Sequence, residues 1–333
     1  MQNTISLLII LMTLFNSIET NGQSFSYTKN NPIELGKVHW LRDYQQAIEQ
    51  SKKSNLPIFI LFQEVPGCSN CTTYGNTVLS HPMIVECIES CFVPLCIYNN
   101  LKGEDLRVLN KYSEPTWNNP VVRIVDSKGD DLIPRQPDFR NTSLLLSTMR
   151  DGIIRSGHQV PGYFDILREE VAANESMQLD EVYFSMYCFW SGEKEISAIP
   201  GVIQTEAGYM HGKEVVKVSY RKDQVSLDDL FTRSNKVGCA DEIYGAVNKE
   251  TNLQIKPKGK YSKDKEDKYY LYQSEYKAIP MSPLQKTKVN HLLAHNKKVE
   301  DILSPRQLSL LHNKSKSSNN IGSTLEEVWW VMK

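Results

Sequence analysis

Two cysteines three apart, Cys68 and Cys71, follow closely on the apolar run Pro57–Phe62 (PIFILF) through the short turn QEVPG. This juxtaposition constrains the fold more than any other feature. A short buried strand must end where a helix begins, so the pair sits at a helix amino terminus. There the first backbone N–H groups lack intrahelical partners and the macrodipole favours an anion. With a reference pKa near 8.5, an unperturbed thiol is only about 3% thiolate at neutral pH. Stabilising the thiolate by about 2 kcal/mol lowers that pKa by about 1.5 units, which makes Cys68 a nucleophile and Cys71 its resolving partner. The same two residues also read as a permanent disulfide or as half of a metal site. A zinc site needs two further ligands, and the chain has no second CxxC.

Helical and strand patterns alternate around this pair. Asp43–Ser54 carries apolar positions at helical spacing, a helix from Pro82 leads into a strand over Phe92–Ile97, and Val121–Asp126 (VVRIVD) is a third strand closed by the turn SKGD. Asn141 or Thr142 can cap a helix running to about Arg155. Strands alternating with helices indicate an α/β unit. At 333 residues the chain is long enough for two domains of roughly 150 residues each. A net charge of −1 removes the electrostatic case for nucleic acid, and 40% hydrophobic with 23% charged residues excludes a largely disordered chain. Ile5–Phe15 is an unbroken apolar run too short to span a bilayer, which needs about 20 residues. It reads as the core of a signal peptide cleaved near Gln23–Phe25, although its first residues carry no Lys or Arg. The expectation is an exported protein, periplasmic or secreted, with no stable membrane insertion after cleavage. The expected division is a signal peptide over 1–24, a first domain over 25–160, a linker over 161–178, a second domain over 179–312 and a mobile tail over 313–333.

The second half contains another cysteine at a strand-to-helix junction, Cys188, followed by Phe189, Trp190, Ser191, Gly192 and Glu193. Strands are expected over Glu181–Tyr187, Val202–Tyr209 and Glu214–Tyr220, the last with Val216, Val218 and Tyr220 on one face. Ser226 with Asp229 forms a capping pattern, and Pro283–Leu311 is helical with a break at Pro305. The lysine-rich stretch Lys256–Lys268 reads as a solvated loop. From composition alone, Phe189 and Trp190 are either core aromatics beside a buried cysteine or the walls of an apolar pocket sized for a thioether methyl. Cys87, Cys91 and Cys96 lie among apolar residues and read as core.

Residues Leu41–Arg155, with the CxxC and with Asn119-Pro120 ahead of VVRIVD, resemble the thioredoxin superfamily. The resemblance implies a cis bond at Asn119–Pro120, with Pro120 against Cys68 and Cys71. The dipeptide between the cysteines is Ser69-Asn70 rather than Gly-Pro, and Phe62 stands where thioredoxin carries a buried acid, with Glu64 a nearby substitute. The segments CFWxxE, Pro200-Gly201-Val202, Ala207-Gly208-Tyr209, Glu214-Val215-Val216 and Tyr220 resemble, in order, the A-type peptide methionine sulfoxide reductases. Asp267, Tyr272 and Ser274 keep the spacing of that family's D-x4-Y-x-S element. Tyr187 replaces the family's glycine before the nucleophile, and the glycine-rich loop carrying a second tyrosine is reduced to Met210–Lys213.

The resemblance implies an α/β thioredoxin-like domain followed by an α+β, ferredoxin-like two-layer reductase domain. It implies attack by Cys188 on the sulfoxide sulfur, protonation of the oxygen by Glu214, polarisation of the S–O bond by Tyr272 and Asp267, and methyl recognition by Phe189, Trp190 and Tyr209. Methionine sulfoxide in peptides or proteins is the expected substrate, and no cofactor or metal is expected. Cys239 or Cys68 would reduce the oxidised Cys188, and an external thiol donor of thioredoxin type would recharge Cys68 and Cys71. Cys239 reads equally as an unpaired loop cysteine. The alternative function is a thiol–disulfide oxidoreductase whose second half is a degenerate protein-binding module; a non-enzymatic adhesion or structural protein is a third reading.

Overall fold

A computed structural model describes residues 31–137, 141–246 and 251–312. The expected signal peptide and tail lie outside the described residues. Asp43 opens α1 (Tyr44–Ser54) by accepting a hydrogen bond from the Gln46 N–H at 2.7 Å, and Asn55 closes it in the left-handed conformation. The chain continues through β1 (Ile58–Gln63), α2 (Ser69–Thr77), α3 (Pro82–Cys91), β2 (Val93–Tyr98), α4 (Glu104–Lys111), β3 (Val121–Val125) and α5 (Thr142–Arg155). Asn141 caps α5 through the Leu144 N–H at 2.7 Å.

These strands form one sheet in the order β2-β1-β3, with β1 parallel to β2 and antiparallel to β3. A central strand covered on both faces has to be apolar at every position, which is why PIFILF is continuous rather than alternating. The period of two is still visible in where its residues go. Phe59 and Leu61 join the core beneath α3 and α5, while Ile58, Ile60 and Phe62 join the one with Ala47, Ile48 and Val108 from α1 and α4. Cys87 and Cys91 belong to the first of these cores, and Cys96 is fully buried in β2.

The stretch expected to link the halves is largely helix α6 (Gly162–Glu175), and its Tyr163, Phe164 and Leu167 pack into the core of the first sheet. Then follow β4 (Leu179–Ser185), α7 (Phe189–Ile196), β5 (Val202–Met210), β6 (Lys213–Arg221), α8 (Leu227–Lys236), β7 (Glu242–Gly245), β8 (Ile255–Pro257), β9 (Ser262–Lys263), α9 (Tyr269–Tyr272), α10 (Pro283–Ala294) and α11 (Pro305–His312). The second sheet runs β8-β7-β4-β6-β5-β9, antiparallel except for the β7–β8 pair. His211 and Gly212, both with positive φ, form the two-residue turn between β5 and β6. Positive φ at both central positions matches the right-handed twist of a hairpin. Val216, Val218 and Tyr220 face α7 and α8 in one core, so this half is a sheet with helices on one layer. The lysine-rich stretch departs from expectation. It contributes β8 and β9, and Lys268 at its end is only 5% exposed, because two carboxylates and a backbone carbonyl receive its ammonium.

Arg306 at the start of α11 reaches α3. Its Nη2 lies 3.0 Å from Glu89 Oε2, its Nε 3.3 Å from Glu86 Oε2, and its backbone N–H donates to Glu86 Oε1 at 2.9 Å. Glu86 is 3% exposed, and burial pushes its pKa up against the pull of the guanidinium. Arg306→Met leaves that carboxylate without its main cation. The expected loss is about 2 kcal/mol, at the low end for buried pairs because Arg306 is partly solvated. The sign with pH follows from the raised pKa. The deficit grows as the pH rises through the folded-state pKa of Glu86, which lies above the unfolded carboxyl value of about 4.3. It is absent below that folded-state pKa, where the buried carboxyl is protonated with or without Arg306. Urea midpoints at pH 4 and pH 8 check this, and equal losses at the two pH values count against it.

Candidate active sites

Cys68 is the N-cap of α2 and is exposed, whereas Cys71, one turn in, is completely buried. Their Sγ atoms are 3.6 Å apart, a dithiol in contact. The Cys71 backbone N–H points at Cys68 and holds its thiol below the ordinary range. Burial, reinforced by the Cys68 thiol, pushes Cys71 up to about 11. The pair is therefore asymmetric in the sense a nucleophile and a resolving thiol require. Asn119 Oδ1 accepts from Cys71 Sγ at 2.8 Å, and the Asn119–Pro120 bond is cis. Asn119 was not singled out in the sequence, and only its place before Pro120 marks it.

Phe62 is fully buried with no polar role, and the neighbouring Gln63 instead braces the turn, donating to the Glu34 carbonyl at 2.8 Å and to the Cys71 carbonyl at 3.4 Å. Gly67 is needed for close approach, since a Cβ there would stand 2.6 Å from the Cys71 Cβ. The Glu64 carboxylate and both sulfurs lie within 4.8 Å of one another. That trio can hold a thiophilic ion, although three protein ligands fall one short of a closed structural zinc site. Trp117 is 80% exposed on the loop that ends at Pro120. That loop is held by Glu114, which accepts from Arg123 Nε at 2.8 Å and Arg135 Nε at 2.7 Å.

Cys188 is the N-cap of α7 and is half-buried. The first free N–H of the helix, that of Phe189, donates to Glu214 Oε2 at 2.9 Å. The register explains the meeting, because Ser185 at the end of β4 pairs with Val215 of β6, and Met186 N–H donates to the Glu214 carbonyl at 3.1 Å. The carboxyl group thus lies against the residue that follows the thiol. Phe189 packs on Trp190 with ring centroids 5.6 Å apart and on Tyr209 at 5.3 Å, edge to face. Gly192 leaves room beneath, where a Cβ would meet Met186 Sδ at 2.0 Å. Tyr187 is 94% exposed.

Cys239 is 3% exposed in the core with α7 and α8. Burial first, then the charges of Glu195 and Cys188 set against Lys194, push its thiol up to about 11. The Asp241 N–H donates to the Ser185 carbonyl at 2.8 Å, which ties this loop to the strand that leads into Cys188.

Tyr272 and Asp267 have surroundings of their own in the structure. Tyr272 is 38% exposed with Lys277 Nζ 5.9 Å from its ring, and the ring stacked on Trp190 is that of Tyr269, at 4.1 Å and 21°. A four-residue helix at 269–272 presents its first tyrosine to α7 and turns its last outward. Asp267 is committed to structure, accepting from the Ala207 N–H at 3.0 Å and pairing with Lys263 at 2.9 Å and Lys268 at 3.2 Å. Burial would raise its pKa, but these two lysines hold it at about 2. Glu193, 0% exposed, accepts from Lys268 Nζ at 2.7 Å. Burial raises it to about 7 despite that ammonium, with the Asp267 charge adding to the rise. One cation thus serves two carboxylates, and Glu193 is the one that takes a proton first. Sequence reading noted Glu193 only as a motif letter and missed Lys268 and Tyr269 altogether, because both sit in a stretch that looks like polar loop.

Residues 39–127 match a family model described as thioredoxin-like. Two curated relatives both carry the name peptide methionine sulfoxide reductase MsrA. The one from Methanococcus maripaludis is 41% identical over 65 residues, covering 14% of this chain and 41% of the relative. The one from Geobacter metallireducens is 33% identical over 75 residues, covering 17% of this chain and 46% of the relative. The chain thus spans less than half the length of the curated relatives it matches. Among solved structures, a thioredoxin from Thermus thermophilus is 19% identical, with 36% of this chain and 90% of that one covered and a TM-score of 0.32. The oxidoreductase DsbH is 17% identical, with 38% and 91% covered and a TM-score of 0.31. The chain therefore joins a thioredoxin-like α/β unit to a segment similar to A-type methionine sulfoxide reductases, and both similarities support thiol-based redox chemistry.

Proposed function

We propose that the protein is an exported peptide-methionine (S)-S-oxide reductase with its own thioredoxin-like reductant. The observation that carries this reading is the Glu214 carboxyl, 2.9 Å from the N–H of the residue after Cys188. The sulfoxide sulfur is electrophilic but its oxide is a poor leaving group, so the reaction needs a nucleophile and an acid together. Cys188 thiolate attacks the sulfur while Glu214 gives its proton to the oxygen. The protonated oxygen then moves from the substrate sulfur to the Cys188 sulfur as the newly formed sulfur–sulfur bond opens. The substrate S–O bond thereby breaks, methionine leaves as the thioether and Cys188 is left as a sulfenic acid. The ε-methyl lies against Phe189, Trp190 and Tyr209, which fixes the epimer.

The sulfenic acid condenses with a second thiol, releasing water and leaving a disulfide. Cys239 is tied to the strand before Cys188 through Asp241, and Cys68 is the exposed alternative. Cys68 then attacks that disulfide, or forms it directly, and Cys71 displaces the mixed disulfide. The two electrons end as a Cys68–Cys71 disulfide, which an external dithiol of thioredoxin type reduces. The apolar run Ile5–Phe15 is the support for export.

The second reading, a disulfide oxidoreductase with a degenerate binding module, is favoured by the outward position of Tyr272. Turnover separates the two. The reduced protein is expected to convert S- but not R-sulfoxide peptides. Cys188→Ser should remove this completely while leaving disulfide reduction by Cys68 and Cys71 intact; sulfoxide turnover in that variant rules the mechanism out. Glu214→Gln should lower kcat by about 10²–10⁴, the usual worth of a positioned acid, with little change in KM.

The dithiol makes its own forecast. Alkylation of the reduced protein, followed by mass spectrometry across pH, should label Cys68 with a midpoint below the ordinary thiol range. Cys71 should react appreciably only towards pH 11. Equal rates for the two would show that their asymmetry is absent.

A further inference from the structure

The two aromatic residues after Cys188 each have a tyrosine against them. Phe189 meets Tyr209 at 5.3 Å, edge to face, and Trp190 meets Tyr269 at 4.1 Å, nearly parallel. Four rings in this arrangement are what a small apolar methyl group needs on its sides. Tyr269 comes from α9, a single helical turn too short to hold its own direction. Its direction is set by the residue before it.

Lys268 is the N-cap of α9 and has φ of 62°. For a residue with a Cβ this conformation costs roughly 1–2 kcal/mol, so something must enforce it. Glu193 does. One of its oxygens accepts from the Lys268 backbone N–H at 2.9 Å and the other from Lys268 Nζ at 2.7 Å. The same ammonium donates to the Thr205 carbonyl, and Asp267 Oδ1, 3.2 Å from it, also accepts from the Ala207 N–H. Residues 267 and 268 are thereby fixed to β5 and α7 together. Trp190 and Glu193 lie one turn apart on α7, so consecutive residues of the incoming chain meet both, Lys268 on the carboxylate and Tyr269 on the indole. Buried ion pairs rarely add net stability over well-packed apolar side chains. A cluster of this kind is better accounted for by the geometry it imposes.

We propose that Tyr269, and not Tyr272, is the tyrosine of the Cys188 pocket, and that Lys268, clamped by Glu193 and Asp267, is the positioning residue that lays its ring on Trp190. The ligand it helps hold is the methyl sulfoxide end of an oxidised methionine side chain. The inference rests on the reductase reading, so its test needs a readout that does not require turnover.

Binding of N-acetyl-methionine-(S)-sulfoxide amide to the full-length Cys188→Ser protein, followed by tryptophan fluorescence, supplies that readout. On this background Tyr269→Ala should weaken binding about tenfold, the scale of one lost aromatic contact, and Tyr269→Phe should bind within about twofold of the parent. Tyr272→Ala should leave the affinity unchanged. Lys268→Met should reproduce the Tyr269→Ala loss and add nothing to it in the double variant, and Lys268→Arg should restore part of it. Disulfide reduction by Cys68 and Cys71 in each variant reports that the first half is folded, and a near-ultraviolet circular dichroism spectrum matching the parent reports the same of the second. The assignment is overturned if Tyr272→Ala carries the loss, if Tyr269→Ala binds more tightly because the ring was blocking the pocket, or if the parent shows no binding. Binding that follows this pattern in a protein whose native form never turns over sulfoxide would instead sink the reductase reading and leave the pocket assignment standing.

Discussion

Both sites of this protein depend on one constraint: the opening turn of a helix has N–H groups that the helix itself cannot satisfy. In each half a strand delivers a cysteine to that turn as the N-cap. The two helices then use the free donors differently. In α2 the Cys71 N–H is aimed at the Cys68 sulfur, so the donor acts on the nucleophile itself. In α7 the Phe189 N–H is taken by the Glu214 carboxylate, so the donor fixes an acid beside the nucleophile. A disulfide exchange needs only a good thiolate and a good leaving thiol. Removal of an oxide needs a proton in addition. On the proposed function, the same backbone feature is fitted to two different reactions by what lies opposite it.

The asymmetry of burial in the first pair has a direct consequence for electron flow. An exposed Cys68 can reach a partner's disulfide, while a buried Cys71 of raised pKa stays protonated until its neighbour's sulfur has become part of a mixed disulfide. The Glu64 carboxylate lies within 4.8 Å of both sulfurs, an acidic group beside the dithiol. Phe62 occupies the interior position from which a buried acid would otherwise act, in one apolar core with Tyr112, Ile60 and Ile97.

Most of the framework was legible in the sequence because it obeys local rules. The continuous apolar run predicted a central strand, Asp43, Asn141 and Ser226 marked helix starts that the structure caps as expected, and Val216, Val218 and Tyr220 marked the inner face of β6. The legible part of the second site was the part carried by contiguous motifs, the Cys188 segment and the Glu214 strand. What escaped was long-range. Lys268 is 75 residues from Glu193, and a lysine in a lysine-rich run gives no local sign that a carboxylate lies buried elsewhere to meet it. Tyr269 escaped for a related reason: on a one-turn helix spacing alone does not tell which tyrosine stacks on Trp190, and the left-handed backbone at Lys268 that precedes the helix has no local sequence sign.

The way the halves are joined bears on why they share a chain. A flexible tether would raise the local concentration of one thiol at the other to about millimolar and no more. Here the connecting stretch is instead a helix whose Tyr163, Phe164 and Leu167 are part of the first core, and Arg306 at the far end of the second half is bound to Glu86 and Glu89 of the first. Among the described residues the halves meet through this packed helix, through the Leu284 N–H that donates to its Glu170 at 3.2 Å, and through the half-buried Arg306 on its two glutamates. Such a junction limits how the two thiol sites move relative to each other. On the proposed function, Cys239, enclosed in the second core, is one candidate for the first thiol to meet the oxidised Cys188, with Cys68 the exposed alternative. A disulfide formed at Cys239 would be shielded by burial from stray thiols, and its reduction would call for a donor that engages the surface beside Cys188. The half-buried thiol of Cys188 and the fully exposed ring of Tyr187 next to it are the features such a donor would meet first.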